Sequence, residues 1–431
     1  MNAAAKRSNA TLTRRVTAGL TVGLMLAIPL LAAPTARAGE WDVGGFARTV
    51  AVLAPIRSVT GEPIDRGIDG SLRHRLMVTG DWDDIGVEGH FVVGGLFAAL
   101  DDTERTVVIP AIGTAELLRW PGLAAGRRFS GSGRAGVTAD IDRLVLTAHH
   151  GSFDLAVGRQ PINLASTLIF TPHDVFAPFS PLDFFRAYKP GVDAIRLDYE
   201  TLWEDAPVTS LRASVIAAAG FAPTKLPQFD APLDLDRSAL LGRIALSFDL
   251  GDVIVIGGHA PRRWMVGLGA QLDFAGWLFR LEHVTQRPAN GHFGFDGHIV
   301  VAGFMHQVTP DISFVFEGMV KRGDYVNITT LGDLLALPSV DPWGANGLDR
   351  WIADQTKLTT QAAASMTWQA HPLVGLQTLV WYSPTANDDV VVLGNYTTYS
   401  VSDEGVAAAG FGVDVLDPET YFVNAEFRWT W

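Results

Sequence analysis

The sequence predicts an all-β fold: a transmembrane antiparallel β-barrel of about 16 strands, within a range of about 14 to 18. Three observations predict it. The chain opens on a segment with the layout of a secretion signal. The rest of the chain has no uninterrupted apolar run of the roughly 18–20 residues a spanning helix needs. Its apolar residues instead alternate with polar ones in segments of about ten residues, the length and period of a tilted spanning strand.

Residues 1–38 carry the signal. Lys6, Arg7, Arg14 and Arg15 give a basic start, Val16 to Ala33 a mostly apolar stretch, and Ala36-Arg37-Ala38 a small-residue cleavage site. The mature chain, 39–431, is expected to be a single barrel domain. Removing the signal leaves 28 basic residues against 46 acidic ones, a formal charge of −18. Such a chain repels phosphate backbones, so nucleic acid is not an expected partner. The absence of cysteine excludes disulfides and thiolate metal sites. Charged residues are 18%, below the roughly 25% of soluble domains.

Sixteen segments alternate: 41–54, 69–79, 86–98, 138–148, 152–161, 192–199, 209–218, 239–248, 252–259, 263–274, 277–286, 298–307, 312–321, 358–368, 373–383 and 420–431. The last shows the pattern well. Tyr421, Val423, Ala425, Phe427, Trp429 and Trp431 share one face, and Asn424, Glu426, Arg428 and Thr430 the other. Phe427, Trp429 and the terminal Trp431 resemble the signal by which outer-membrane barrels are recognised for insertion. Two further runs, Val390–Tyr399 and Val406–Leu416, would add a hairpin and make 18 strands.

The connections alternate too. Those around Gly80, Gly151, Ala206, Gly251, Ala275-Gly276, Thr309-Pro310 and His371-Pro372 are tight. Those at 55–68, 99–137, 162–191, 219–238, 287–297, 322–357 and 384–419 are long, and the one near Pro261 is short where a long one is expected. Short periplasmic turns and long external loops give this rhythm and place both termini in the periplasm. Lipid leaves no backbone polar group unpaired, so the strands must close on themselves.

A barrel this wide holds water rather than a side-chain plug. The polar parity lines it with Arg73, Arg75, Glu88, Arg143, Arg212, Arg243, Arg280, Glu282, Glu317, Glu426 and Arg428. Both signs are interspersed, so the wall alone leaves ion selectivity open; the narrowest ring decides it. The connection 162–191 is the candidate for that ring. It holds Pro172, Pro178, Pro181 and Pro190 with Phe170, Phe176, Phe179, Phe184 and Phe185, a stiff loop whose rings need a surface to pack on. The barrel interior offers one; packing on neighbouring loops above the membrane is the alternative.

The run Val157-Gly-Arg-Gln160, the proline- and phenylalanine-bearing loop, and Gly191-Val-Asp-Ala-Ile-Arg-Leu197 resemble the alginate-export-type outer-membrane porins over residues 151–199. The resemblance implies solute contacts from charged residues near the loop: here Arg159, Asp174, Asp183, Arg186, Lys189, Asp193 and Arg196. The mixed wall departs from the strongly basic interior a polyanion would need. Arg159 also shares the apolar parity of Phe153, Leu155 and Val157, which places it at the rim, after a bulge or out of register.

The expected function is therefore a bacterial outer-membrane porin passing small hydrophilic solutes or ions by diffusion, with no enzymatic activity, cofactor or metal. Outer-membrane lipid and the solute are the expected partners. Trimer and monomer both fit a porin of this size. Two other readings remain: a barrel that sheathes or receives a partner protein, and an outer-membrane lipid hydrolase. For the last, His149-His150-Gly151-Ser152 brings histidine and serine together, but Gly-Ser is ordinary turn chemistry. Asp81, Asp83 and Asp84 could hold a calcium ion, though capping a solvated turn is the plainer role.

Overall fold

A computed structural model describes residues 40–57, 63–98, 118–120, 123–128, 135–176, 188–204, 206–221, 231–289, 294–326, 358–384, 389–418 and 421–431. Among them are nineteen strands. They are β1 (Glu40–Arg57), β2 (Pro63–Trp82), β3 (Ile85–Ala98), β4 (Ala124–Arg128), β5 (Ala135–His150), β6 (Phe153–Gln160), β7 (Val192–Leu202), β8 (Ser210–Ala218), β9 (Ala239–Phe248) and β10 (Gly251–Ala260). Then follow β11 (Arg263–Phe274), β12 (Trp277–Pro288), β13 (Gly294–Thr309), β14 (Ile312–Val326), β15 (Leu358–His371), β16 (Val374–Pro384), β17 (Asp389–Ser400), β18 (Gly405–Asp414) and β19 (Tyr421–Thr430). The leader, and with it the expected cleavage site, lies outside the described residues.

Eighteen strands form a closed antiparallel ring. Each pairs with its neighbours in sequence, and β1 meets β19 from Phe46↔Thr430 to Leu53↔Val423. Gly45 and Trp431 exchange two backbone hydrogen bonds at the seam. This count of eighteen is the upper end of the expected range, two above the sixteen alternating segments. The missing hairpin is β17 and β18, whose alternation is blurred. Val390 to Leu393 is apolar on both faces, and inward positions 408, 410 and 412 of β18 are Ala, Gly and Gly. The turn expected at Gly80 sits instead at Asp83-Asp84, with Asp83 at φ 46°. Asp81 is consequently part of β2.

β4 stands beside the ring. β6 leaves the wall at Gln160, while β5 runs on to Ala135, so β5 keeps an unpaired edge there. β4 covers it, from Ala124↔Asp140 to Arg128↔Gly136. A bulge at the same place sets Asp142 out of register, since His90 faces Arg143 and Phe91 faces Ile141.

The two faces of the wall differ sharply. Outward positions such as Val215, Leu240, Val253, Val255, Val266 and Leu268 are 45–60% exposed, whereas inward Ile216, Leu241, Ile254, Ile256 and Met265 are at most 2% exposed. In an empty barrel those inward residues would face water. They are covered because segment 161–176 lies against them. One apolar cluster joins Ile162, Leu164, Val175 and Phe176 to the inner face of β7–β12. A second joins Ile169 and Phe170 to Val301, Ala363, Leu379, Trp381, Val390 and Val392.

Candidate functional site

The chain leaves the wall at a fixed point. Gly158 has φ 123°, and a Cβ there would stand 2.1 Å from the Leu144 carbonyl oxygen, so only glycine fits. Arg159 follows at 1% exposure. All five of its N–H donors are used. Nε and one terminal nitrogen hold both Asp193 oxygens at 2.7 and 2.9 Å. The others reach Asp140 Oδ1 (3.3 Å), Ile141 O (2.8 Å) and Trp120 O (3.0 Å). The Trp120 N–H closes the group on Asp193. Arg119 then bridges Asp140 (2.5 Å) to Asp142 (3.3 Å), and Asp142 accepts from Arg75 (2.6 Å). This chain of ion pairs runs from the outward parity of β6 and β7 to the lumen.

Two wall carboxylates then hold the loop. Glu282 of β12 is 0% exposed and Glu317 of β14 is 1% exposed. Glu282 accepts from the backbone N–H of Ser166, Thr167 (2.9 Å) and His173 (3.1 Å), and from the Ser166 hydroxyl (2.8 Å). Glu317 accepts from the N–H of Leu168 (2.6 Å), Ile169 (2.8 Å) and Phe170 (2.9 Å). A loop folded inside a barrel has no strand partners for its amides, and these two side chains supply them. Burial pushes the His173 imidazole below its ordinary value, opposed by the nearby Glu282 charge.

Loop and wall touch closely where β11 carries Gly267. A Cβ there would lie 2.6 Å from His173 Nε2 and 2.7 Å from Ile256 Cγ2. Gly267→Ala is expected to cost about 1–3 kcal/mol of overpacking and to raise proteolytic cleavage of 162–176 in the folded barrel by roughly tenfold or more. Limited proteolysis measures it; an unchanged rate would show that the loop does not rest on β11.

The returning limb is held on the other side. The Tyr188 ring lies under the Arg75 guanidinium at 3.7 Å and beside Arg143 at 4.9 Å, with His90 and Phe46 around it. Its hydroxyl meets Met77 Sδ at 2.9 Å. Lys189 ties the two limbs together through Asp174 and, at 3.5 Å, Asn163. Burial pulls the Lys189 ammonium below its ordinary value, and Asp174 opposes this. The described limbs thus rest on different parts of the wall, residues 161–176 on β7–β17 and Tyr188 on β1–β5.

The candidate solute contacts separate into three groups. Arg159 and Asp193 clamp each other at the exit point; at 1% exposure Arg159 has no surface to offer a solute. Burial thus sets Arg159 apart from the solute contact that the resemblance implies, whereas the Asp193 side chain keeps 20% of its surface exposed. Asp174 and Lys189 are spent on each other, and Arg196 pairs with Asp198 at 2.7 Å while staying partly exposed. Asp183 and Arg186, with Phe179, Phe184 and Phe185, lie outside the described residues.

The wall charges all take inward positions but do different things. Glu88 accepts from Arg143 (2.7 Å) and His90 (2.9 Å), Arg212 pairs with Glu200 (2.7 Å), and Glu426 with Arg48 (2.9 Å). Arg243 and Arg280 each bury an Nε without a partner among the described residues. Arg428, Arg48 and Arg73 stand side by side in register on β19, β1 and β2. Arg73 and Arg428 make no hydrogen bond or ion pair among the described residues. Phe427, Trp429 and Trp431 face outward, 41–55% exposed. His149 meets Asp154 at 2.6 Å across the β5–β6 hairpin, with Ser152 in the turn, so that trio staples a hairpin. No metal-binding group of three acidic or histidine side chains occurs among the described residues, Asp81, Asp83 and Asp84 included.

Arg48, Asp142, Arg119, Tyr188 and His173 were not legible as site residues. One signal was available. Val253-Ile-Val-Ile256 in β10 is apolar on both parities, which a strand facing water on one side would not be.

No family model and no curated protein matches the chain. Solved structures do. OccAB4 of Acinetobacter baumannii aligns with a TM-score of 0.56 at 8% identity, covering 91% of this chain and 98% of that one. OccAB3 of the same organism aligns at 0.56 and 10%, covering 91% and 99%. A BenF-like porin from Pseudomonas fluorescens Pf-5 aligns at 0.51 and 10%, covering 91% and 98%. At such identities the likeness is one of fold: this chain and those share a closed barrel over nearly their whole lengths.

Proposed function

We propose that the protein is a passive channel of a bacterial outer membrane, with both termini periplasmic, in which loop 162–191 narrows the lumen and small hydrophilic solutes or ions diffuse past it. The observation that carries this is the clamp of Glu282 and Glu317 on six amides between Ser166 and His173, which holds that limb of the loop against the inner wall. The solved structures of like fold include a porin, which supports the reading. Cleavage after Ala38 delivers the mature chain, and outward Trp429 and Trp431 serve its insertion. The likeness of 157–160 and 191–197 to alginate-export-type porins fits a solute path beside this loop, but the mixed wall argues against a polyanion.

At the seam the inner wall carries Arg73 and Arg428 flanking Arg48, and neither of the two pairs with an acid among the described residues. Partly desolvated guanidiniums in a narrow lumen attract anions. The refolded mature chain in a planar bilayer should open in steady steps, and under a salt gradient its reversal potential should favour anions. Arg73→Gln/Arg428→Gln should move that potential toward cations, leaving Arg48 paired with Glu426. A folded barrel that never conducts would refute the channel; an unmoved potential would remove the arginine row from the conducting path.

A further inference from the structure

We propose that the outward face of β12, β13 and β14, at the end bearing the long connections, binds the phosphate-bearing headgroup of an outer-leaflet lipid. The proposal rests on the channel reading for its orientation, in which that end is external.

The outward row of β11 sets the scale. Trp264, Val266, Leu268, Ala270, Leu272 and Phe274 face outward, with Trp264 57% and Phe274 62% exposed at the two ends. Aromatic residues at both limits of an apolar band of about 25 Å mark the two interfaces. The register carries this scale across. Trp264 lies opposite Arg287, Val266 opposite Thr285 and Leu268 opposite His283. Thr285 lies opposite His298, and His298 opposite Arg322. The faces are secure, because neighbouring Leu281, Val300 and Val320 are 37–44% exposed while Glu282, Val301 and Glu317 are buried. Arg287 is therefore in register with the external tryptophan, and His298 and Arg322 lie one register step along their strands toward the apolar row.

This concentration is local. On β8–β11 and β15–β19 no arginine or lysine takes an outward position among the described residues. Within the patch the side chains converge. The His283 and His298 rings stack at 5.7 Å, and His298 Nδ1 meets Thr285 Oγ1 at 2.9 Å. Arg287 is 77% exposed and only loosely held, 3.4 Å from Asp296. Asp324 lies opposite Asp296, so two carboxylates oppose the two guanidiniums. The carboxylates sit on the outermost row, whereas Arg322 and the histidines extend below it toward the boundary where lipid phosphates lie. A phosphate monoester offers the acceptors that guanidinium and imidazole donors need there, and each arginine near such a surface contributes about fivefold in affinity.

The test uses the mature chain, folded in detergent, with native mass spectrometry as readout. The probes are bisphosphorylated lipid A, the same lipid with its phosphates removed, and inorganic phosphate. Bound lipid A should survive on the wild type, and Arg287→Gln/Arg322→Gln should weaken it about 25-fold. Arg287→Lys/Arg322→Lys should weaken it less. Dephosphorylated lipid should bind no better to the wild type than to the glutamine variant. Equal lipid A binding by wild type and glutamine variant would overturn the proposal. So would equal wild-type binding of the dephosphorylated lipid, or displacement by millimolar inorganic phosphate, which would make this a site for the free ion. Heat-modifiable migration checks that each variant folds. Single-channel conductance should be the same in variant and wild type. A barrel that binds lipid A through these arginines without conducting would overturn only the channel, and one that conducts without the binding difference only this proposal.

Discussion

Glu282→Ala combined with Glu317→Ala is expected to raise the single-channel conductance of the refolded barrel toward that of a barrel lacking residues 162–191, with a noisier open level. The two carboxylates accept six backbone N–H groups and one hydroxyl of the loop. Each buried donor left without an acceptor costs about 1–3 kcal/mol, so the loop loses far more than a marginally held segment can bear. The apolar contacts of Ile169 and Phe170 remain, so the loop should visit the wall without settling there. Glu282→Gln/Glu317→Gln keeps the shape and one acceptor oxygen per side chain, and should fall between wild type and alanine. An alanine double variant that folds and conducts at the wild-type level would show that the loop does not limit flow.

Arg159→Met is expected to cost about 3–5 kcal/mol of stability, because it leaves the partners of a buried guanidinium without their counter-charge. Asp193 and Asp140 would then face each other's environment with only Arg119 and the Trp120 N–H remaining. Urea unfolding of the barrel in vesicles measures the loss. Ion selectivity should stay that of the wild type, since Arg159 is 1% exposed. A variant of normal stability with altered selectivity would return Arg159 to the solute path. Arg73, by contrast, has no ion-pair partner among the described residues, so its replacement should alter selectivity with little effect on stability.

The wall was legible because alternation is a local property. A strand between lipid and water must change character at every residue, and β11 and β19 do so along their whole length. All sixteen predicted segments are strands. The rule failed where one side of the wall does not face water. β17 is apolar on both faces because Val390 and Val392 pack on Ile169 and Phe170 of the loop. β18 is built of small residues and carries little pattern at all. Parity likewise put Glu282 and Glu317 on the inner face but could not tell a solvated charge from one consumed by backbone amides, since that depends on a segment more than a hundred residues away.

The sequence by itself determined that the chain is a closed barrel with an apolar outer face, which side chains face inward, and that a proline- and phenylalanine-bearing loop follows β6. Each of these is read from neighbours along the strand, through period, turn chemistry and the need to pair every backbone group. Only the tertiary structure decided what the inward charges do. Ring closure brings β19 against β1 and aligns Arg428, Arg48 and Arg73, while the loop's path spends Glu282, Glu317, Asp174 and Lys189 on holding itself. A bulge at Asp142 and the twist at Gly158 make Arg159 a buried pin where the chain enters the lumen, rather than the exposed charge that the resemblance implies. The physical reason is that ion pairs and amide clamps depend on distances through space, and a residue's own sequence neighbours carry no record of them.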